Sequence, residues 1–154
     1  MQLNDNQLYV QVSHHLHFWK RKIEKKGGGG VAPQFSSRSA SAHQLVTLLD
    51  RLLELPVRIP SYIVRDIIDH YQPHAVNADV FHRTCELIVA NRYSAGLHLV
   101  NQFLVNHSAM GAYLYGELML TNRQQFRNVA VQAYRMLKSD MDSDFSAIVL
   151  DIIS

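Results

Sequence analysis

Four of the seven glycines in this 154-residue chain stand in one run, at residues 27–30. A glycine run behaves as a flexible coil and adds nothing to a hydrophobic core, so it separates the segment before it from the segment after it. Only three other glycines and four prolines remain in the chain. Because these residues punctuate short strands and turns, their scarcity favours long helices on both sides of the run.

The composition is that of a globular protein. The chain is 47% apolar and 18% charged, which is enough to bury a core in one domain. Its single cysteine, Cys85, cannot form an internal disulfide, so the fold does not need an oxidising compartment. No apolar run approaches the roughly 20 residues of a membrane span. We therefore expect a soluble protein with an intracellular location, cytoplasmic or nuclear.

The segment before the glycines has the pattern of one amphipathic helix over residues 6–26. Its apolar positions recur at spacings of four, four, three and four, which places them on one face of a helix; they are Leu8, Val12, Leu16, Trp19 and Ile23. An isolated helix of this length is marginal in water, so this face has to dock against something. We predict that these five anchor residues bind a partner surface, with Trp19 as the strongest contact because tryptophan is enriched in interface hot spots. The alternative is that they complete the core of a single domain.

The pattern divides the chain into a helix (residues 1–26), a flexible linker (residues 27–40) and a helical interaction domain (residues 41–154). The linker has two interpretations. It is either a native loop or an engineered linker, and an engineered linker would replace a long loop or fuse a partner's helical peptide to the domain that binds it. In each case we expect the first helix to lie in a groove of residues 41–154.

Residues 41–154 contain a series of helical patterns separated by short breaks. The predicted helices cover residues 43–55, 61–71, 78–90, 94–106, 110–119, 126–138 and 145–153. Pro56 and Pro73 mark two of the breaks, and Ser61, Asn77 and Ser94 are candidate caps. Lengths and connections of this kind are typical of packed helical hairpins. We predict an all-α fold, either a bundle or a short α-solenoid of about seven helices, with the N-terminal helix docked onto it.

One stretch of the chain, residues 79–104, resembles a hairpin of the tetratricopeptide and pentatricopeptide repeat class. The resemblance covers 26 of the 154 residues. An aromatic residue, Phe81, stands early in the first helix of this hairpin, and two adjacent aliphatic residues, Leu87 and Ile88, stand near its end. A turn precedes Tyr93, and the small residues Ala95 and Gly96 stand where the two helices cross closely. The resemblance implies stacked helical hairpins, and no ligand of the class is carried over to this chain.

The chemistry-bearing residues do not form a recognisable catalytic or metal-binding motif. His14 and His17 lie three apart without a nearby carboxylate or cysteine to complete a metal site. His70 and His74 have ligand spacing, but Pro73 breaks the helix that would align them. The sequence contains no nucleophile elbow, phosphate loop or dinucleotide fingerprint. We therefore predict no catalytic residue, no metal and no cofactor, and a chain that is not an enzyme.

These observations lead to one principal hypothesis for function. We predict a non-catalytic protein–protein interaction scaffold that recognises an amphipathic helix in a hydrophobic groove, as part of an intracellular complex. The expected partner is a protein that supplies a helical peptide. No interaction with a membrane is expected.

Two alternatives remain open. The first is an RNA-associated helical-repeat module, suggested by the basic residues between positions 20 and 26. Residues 1–30 carry five basic and two acidic residues, a net charge of +3, whereas the rest carries ten basic and eleven acidic residues, a net charge of −1. Because nucleic-acid backbones are bound by clustered basic residues, this distribution does not favour nucleic acid. The second is homodimerisation through an apolar face of the last helix, formed by Phe145, Ile148, Val149 and Ile152.

Overall fold

The computed structural model describes residues 4–25 and 41–154. The predicted linker over residues 27–40 lies outside the described residues, as does Lys26. Within the described ranges the chain forms eight α-helices and no strand, so the prediction of an all-α fold is confirmed. The helices are α1 (Asp5–Lys25), α2 (Ser41–Leu53), α3 (Ser61–Tyr71), α4 (Ala78–Ala90), α5 (Leu97–Asn106), α6 (Ala112–Leu120), α7 (Gln124–Leu137) and α8 (Ser143–Ile153).

Side-chain caps define the starts of several helices. At α1, Asn4 Oδ1 accepts a hydrogen bond from Gln7 N at 2.9 Å, and Gln7 Oε1 accepts one from Asn4 N at 3.0 Å. This reciprocal pair satisfies two backbone donors that a helix start otherwise leaves unpaired. At α4, Asn77 Oδ1 accepts from Val80 N at 2.9 Å, which confirms the predicted cap. The caps fix where these helices begin.

The end of α3 is set by backbone conformation and by proline. Gln72 adopts the left-handed region, with φ 47° and ψ 48°, and its N–H donates to Ile68 O at 2.8 Å. Pro73 follows immediately and has no N–H with which to continue the helix. Helix α3 therefore stops at Tyr71, and this places the Tyr71 side chain at the last turn of the helix.

The chain divides into two compact units, Met1–Thr84 and Cys85–Ser154. In the first unit, α1 packs against α2, and Arg83 Nε of α4 donates to Asp50 Oδ1 of α2 at 2.8 Å. The buried apolar side chains of this unit come from α1, α2, α3, the first half of α4 and the segment before α3: Val12, Trp19, Leu45, Leu48, Leu49, Leu52, Ile59, Ile63, Val64, Ile67, Ile68, Val80 and Phe81. The first helix thus contributes to the core of this unit.

The second unit has its own core, in which α6 packs against α7 and α8 and α5 packs against α7. Its fully buried side chains include Leu87, Ile88, Val100, Phe103, Leu104, Leu114, Tyr115, Leu118, Phe126, Ala130, Ala133 and Val149. Gly96 is required at the turn before α5, because a Cβ there would lie 2.9 Å from Tyr93 Cδ2 and 3.0 Å from Ile88 Cδ1. None of the helices in the described part of the chain has the length and apolarity that a membrane crossing demands.

Candidate functional site

The five anchor residues predicted on α1 lie on the inner face of that helix. Val12 and Trp19 are buried, with 4% and 2% of their surface exposed. Leu8, Leu16 and Ile23 are half-buried. The face therefore docks within the first unit, as its periodicity predicts. Binding of a separate helical peptide, of RNA or of a second copy is not tested by this packing and stays a prediction.

A group of polar and aromatic side chains joins α1 to α3, and we call it the α1–α3 seam. It consists of His15, Trp19 and Lys22 from α1 and of Asp66, His70 and Tyr71 from α3. The Tyr71 hydroxyl is its centre: Trp19 Nε1 donates to it at 2.9 Å, and His15 Nδ1 lies 2.5 Å from it. His15 is only 1% exposed and Tyr71 is half-buried, so this polar contact is partly shielded from solvent.

Burial raises the pKa of Tyr71 to about 12, and the hydrogen bond from Trp19 acts in the opposite direction. The phenol therefore keeps its proton at neutral pH. Because the indole N–H can only donate, the Tyr71 oxygen accepts in that contact and its own proton can point at His15 Nδ1. In that arrangement His15 is neutral and carries its proton on Nε2. The seam is thus a chain of directed hydrogen bonds inside a largely apolar interface.

An ion pair lies at the edge of the same seam. Lys22 Nζ is 3.1 Å from Asp66 Oδ2 and 5.4 Å from the centre of the Trp19 ring. Arg65 also contacts Asp66, at 3.3 Å. These charges are partly exposed, and such pairs contribute roughly 0.2–1 kcal/mol. The ion pair therefore adds a small contribution to the contact between α1 and α3, beside the part-buried hydrogen bonds and the buried Trp19 ring.

Two shallow grooves of the first unit are lined by anchor residues. Leu8 and Val12 contribute to a groove between α1 and α2. Ile23 contributes to a second groove, whose apolar wall is completed by Leu55, Pro56 and Val57. The structure thus separates the two ends of the predicted apolar face and brings its middle, around Trp19, against α3.

The candidate metal and nucleophile residues are not brought together. Within residues 4–25 and 41–154, no three His, Cys, Asp or Glu side chains form a group that could hold a metal ion. His14 and His17 are both exposed. Cys85 is completely buried, its Sγ donates to Leu99 O at 3.8 Å, and burial raises the pKa of its thiol. Because the thiolate is the nucleophilic form, Cys85 is held in an unreactive state.

The seam contains residues that sequence reasoning missed, namely His15, Asp66 and Tyr71. A signal was present for His15: Gln11, His15 and Trp19 recur at spacings of four, so polar residues continue alongside the apolar face. Their partner could not be found in the same way. Tyr71 lies 56 residues from His15 in sequence, and only the fold brings the two side chains together.

Comparison with known proteins relates the chain to one protein family and to three relatives that share one name. The family model described as leukotriene A4 hydrolase, C-terminal, matches residues 40–153. The chain is 33% identical to aminopeptidase O of Rattus norvegicus over 113 residues, which are 73% of this chain and 14% of the relative. It is 32% identical to aminopeptidase O of Mus musculus over 151 residues (96% and 18%) and 34% identical to that of Homo sapiens over 110 residues (71% and 13%). No solved structure matches the chain.

These findings correct three predictions. The predicted non-catalytic scaffold and the prediction that the chain is not an enzyme are both contradicted, because the relatives are named as aminopeptidases and the matched family is a hydrolase domain. The reason is one of length: the chain spans less than a fifth of these relatives, so a catalytic motif missing from it says little about the enzyme. The resemblance of residues 79–104 to tetratricopeptide and pentatricopeptide repeats holds only for helical character.

Proposed function

The chain belongs to the leukotriene A4 hydrolase C-terminal domain family, and on this premise we propose that it is the helical domain of an aminopeptidase. In this proposal the domain acts together with the remainder of a longer enzyme that removes amino-terminal residues from peptides. The observation that carries the proposal is the match of the family model over residues 40–153. The identity of 32–34% to three proteins named aminopeptidase O supports it.

Helix α1 is a native part of the same domain in this proposal. The alignment with the mouse relative covers 96% of this chain, so it includes most of residues 1–25. Val12 and Trp19 are buried in the core of the first unit. A helix fused to the domain from an unrelated partner would not be expected to align with the same relative. This favours the interpretation of the segment between α1 and α2 as a native loop.

The α1–α3 seam has a positioning role in this proposal. The contacts of Tyr71 with His15 and Trp19 constrain the rotation of α1 about its axis and its position along α3. Directional hydrogen bonds of this kind define one arrangement where apolar packing alone would tolerate several. A domain that has to complete an enzyme needs such a defined arrangement, because small misplacements at a distance lower the rate of catalysis.

A chimaera tests the proposal. In mouse aminopeptidase O, the segment that aligns with this chain would be replaced by the chain itself, and hydrolysis of a panel of aminoacyl-coumarin amides would be followed by fluorescence. We expect the chimaera to hydrolyse these substrates and a protein from which the segment is deleted to be inactive. A matched chimaera carrying Trp19→Ala should lose activity, whereas one carrying Val10→Ala, an exposed position on the same helix, should keep it.

Folding has to be checked alongside activity. Circular dichroism and size-exclusion chromatography would show whether each chimaera is folded and monodisperse. A folded chimaera with intact substrate-binding but no hydrolysis of any substrate in the panel would overturn the proposal. Activity of the deleted protein equal to that of the chimaera would show that the domain is dispensable, which also contradicts it.

A further inference from the structure

The connection between α7 and α8 carries an exposed serine that is followed by carboxylates. A 3₁₀ turn, Lys138–Asp140, joins the two helices, and we call residues 138–144 the α7–α8 junction. Ser139 lies in this turn and is exposed. Three carboxylates follow it at distances of one, three and five residues in the sequence, namely those of Asp140, Asp142 and Asp144. A hydroxyl followed by acidic residues is the pattern that one class of protein kinases phosphorylates.

Acid-directed protein kinases recognise a serine or threonine by the charge of the residues that follow it. Their substrate cleft is basic, and it requires a carboxylate three residues after the acceptor hydroxyl, where the carboxylate pairs with basic side chains of the kinase. In the whole sequence this spacing occurs twice, at Thr47 with Asp50 and at Ser139 with Asp142. The sequence therefore offers two candidate acceptors, and the structure distinguishes between them.

Thr47 is held in a form that a kinase cannot use. It lies in the middle of α2, and its Oγ1 donates to His43 O at 3.1 Å. Asp50 Oδ1 accepts from Arg83 Nε at 2.8 Å, so this carboxylate is already paired. A kinase has to reach the hydroxyl with its catalytic aspartate and the carboxylate with its basic residues. Freeing both groups would require α2 to unwind and to expose the completely buried Leu48.

The surroundings of Ser139 have the opposite properties. No hydrogen bond of the Ser139 hydroxyl is seen among the described residues. One of the bonds that close the turn, from Met141 N to Lys138 O, has a length of 3.4 Å, which is beyond the usual range. Met141 and Asp142 are already extended, with ψ angles of 145° and 141°. Opening this turn therefore costs much less than unwinding α2.

The carboxylates of the junction are accessible to a basic cleft. Asp140, Asp142 and Asp144 are all exposed, and no ion pair is seen for them within residues 4–25 and 41–154. Asp142 accepts a hydrogen bond from Phe145 N at 3.4 Å, a long contact that involves one of its two oxygens. The junction thus presents the carboxylate that the kinase requires at the correct distance from Ser139.

We propose that Ser139 is a phosphorylation site for an acid-directed serine/threonine kinase. In the transfer, Ser139 Oγ forms a bond to the γ-phosphorus of ATP, and the bond from that phosphorus to the oxygen that bridges to the β-phosphate breaks. ADP leaves, and the hydroxyl proton passes to the catalytic aspartate of the kinase. The inference rests on the junction alone and does not depend on the peptidase assignment.

Phosphorylation would change the charge of this surface strongly. Residues 135–144 carry two basic and three acidic side chains, a net charge of −1. A phosphoserine adds a charge of about −1.5 to −2, which brings this segment to about −3. A weakly acidic junction thereby becomes a strongly acidic one.

Phosphorylation of the folded chain tests the proposal. The 154-residue chain would be incubated with ATP and casein kinase II, which requires a carboxylate at this spacing, and the products would be analysed by intact and tandem mass spectrometry. We expect one phosphate per chain, located on Ser139, and none on Thr47. Ser139→Ala should abolish the incorporation, whereas Thr47→Ala should leave it unchanged.

Aspartate variants then test the recognition. Asp142→Asn should lower kcat/KM of the kinase for the chain at least about tenfold, because it removes a charged contact, while asparagine can still cap α8. Asp151→Asn is the matched control, since it makes the same charge change at an exposed position of α8 beyond the junction, and it should have no effect. Circular dichroism checks the folding of each variant. If Asp142→Asn is unfolded, Asp140→Asn in the turn replaces it and should lower kcat/KM about two- to fivefold.

Three results would overturn the proposal. A chain without phosphate on Ser139 would show that the junction is not a kinase substrate. Equal phosphorylation of Thr47 and Ser139 would show that the folded structure does not select the acceptor. Equal rates for the junction variant and for Asp151→Asn would show that the kinase responds to net charge instead of to a carboxylate at a defined spacing.

Discussion

Tyr71 of the first unit and Tyr115 of the second unit are a natural pair for comparison. Burial is the first cause of a raised pKa in both, to about 12 in each case. Their hydroxyls differ: that of Tyr71 contacts His15 and Trp19, whereas that of Tyr115 has no hydrogen-bond partner in the described part of the chain. The pKa thus reports the environment of the ring, and the hydrogen bonds decide whether the hydroxyl stabilises the fold.

The two units also use their buried polar groups differently. In the first unit the buried Gln44 and His15 form hydrogen bonds between helices, with Gln11 and Tyr71. In the second unit the buried Asn91 and Thr121 donate to carbonyls three or four residues earlier, Leu87 O and Leu118 O, so these bonds do not join one helix to another. Polar contacts specify one geometry, while apolar contacts contribute stability with less directional selectivity. The comparison predicts different responses to matched substitutions.

The largest expected effect is at Trp19 in the first unit. Trp19→Ala removes a ring that is 2% exposed and also removes the donor to Tyr71, so we expect a loss of roughly 3–5 kcal/mol in the free energy of unfolding. Phe103→Ala, at a completely buried ring of the second unit, should cost a similar amount from packing alone. Urea unfolding followed by circular dichroism measures both.

Trp19→Phe separates the two contributions. This variant keeps an aromatic ring but has no N–H, so it should lose the contact with Tyr71 while retaining part of the packing. We expect a cost smaller than that of Trp19→Ala. If Trp19→Phe were as stable as the parent chain, the hydrogen bond at the seam would contribute nothing and the contrast between the units would fail.

The second effect concerns the tyrosine hydroxyls themselves. Tyr71→Phe leaves the Trp19 N–H and the buried His15 without this partner, and we expect a loss of about 1–3 kcal/mol. Tyr115→Phe removes a hydroxyl that has no partner among the described residues, so stability should stay within about 0.5 kcal/mol or increase. Thermal and urea unfolding of the two variants, side by side, checks this. Equal costs at the two positions would contradict the comparison.

Prediction from the sequence succeeded where the signal is local and failed where distant residues meet. The end of α3 at Tyr71 and the bounds of α4 at residues 78–90 were predicted as the structure has them, whereas Ser61, predicted as the cap of α3, is its first residue after Pro60. Proline and asparagine fix those ends locally, through a missing N–H and a side-chain cap, so the sequence alone contains the signal. The apolar face of α1 was also predictable, because helical periodicity is local.

The α1–α3 seam and the polar contact between α1 and α2 were not predictable in the same way. The contact between His15 and Tyr71 joins positions 56 residues apart, and that between Gln11 and Gln44 joins positions 33 apart. A single sequence gives no measure of which distant polar side chains meet. The relation to peptidases was missed for a different reason: the inference used the lack of a catalytic motif in a chain that spans 13–18% of its relatives.

Alkaline pH offers a third test, in which the two tyrosines should behave alike. The folded-state pKa of each is about 12, above the ordinary value of 10.0. The unfolded chain therefore loses its tyrosine protons first as the pH rises. The stability from keeping these phenols neutral is fully present below about pH 10 and is lost as the pH approaches 12. Urea midpoints measured between pH 9 and 12 should fall across about this window.

The phenylalanine variants sharpen that test. Tyr71→Phe and Tyr115→Phe should each flatten the alkaline loss of stability to a similar extent, although only Tyr71→Phe lowers stability at neutral pH. A steeper alkaline loss in either variant than in the parent chain would have the wrong sign and would show that another group controls the transition.

The smallest effect is expected at the ion pair of the seam. Lys22→Gln removes the contact of Nζ with Asp66 and its position over the Trp19 ring. Asp66 keeps the contact with Arg65, so the loss should be only about 0.2–1 kcal/mol. Lys20→Gln is the matched control, since Lys20 is an exposed lysine of the same helix for which no ion pair is seen within the described residues.

Salt at about 1 M screens exposed charges beyond roughly 3 Å, so it should reduce the cost of Lys22→Gln towards that of the control. The cost of Tyr71→Phe should not change with salt, because the hydrogen bonds assigned to Tyr71 involve no charged group. A salt-dependent cost at Tyr71 would mean that His15 is charged in the folded protein, and the neutral hydrogen-bond chain assigned to the seam would have to be abandoned.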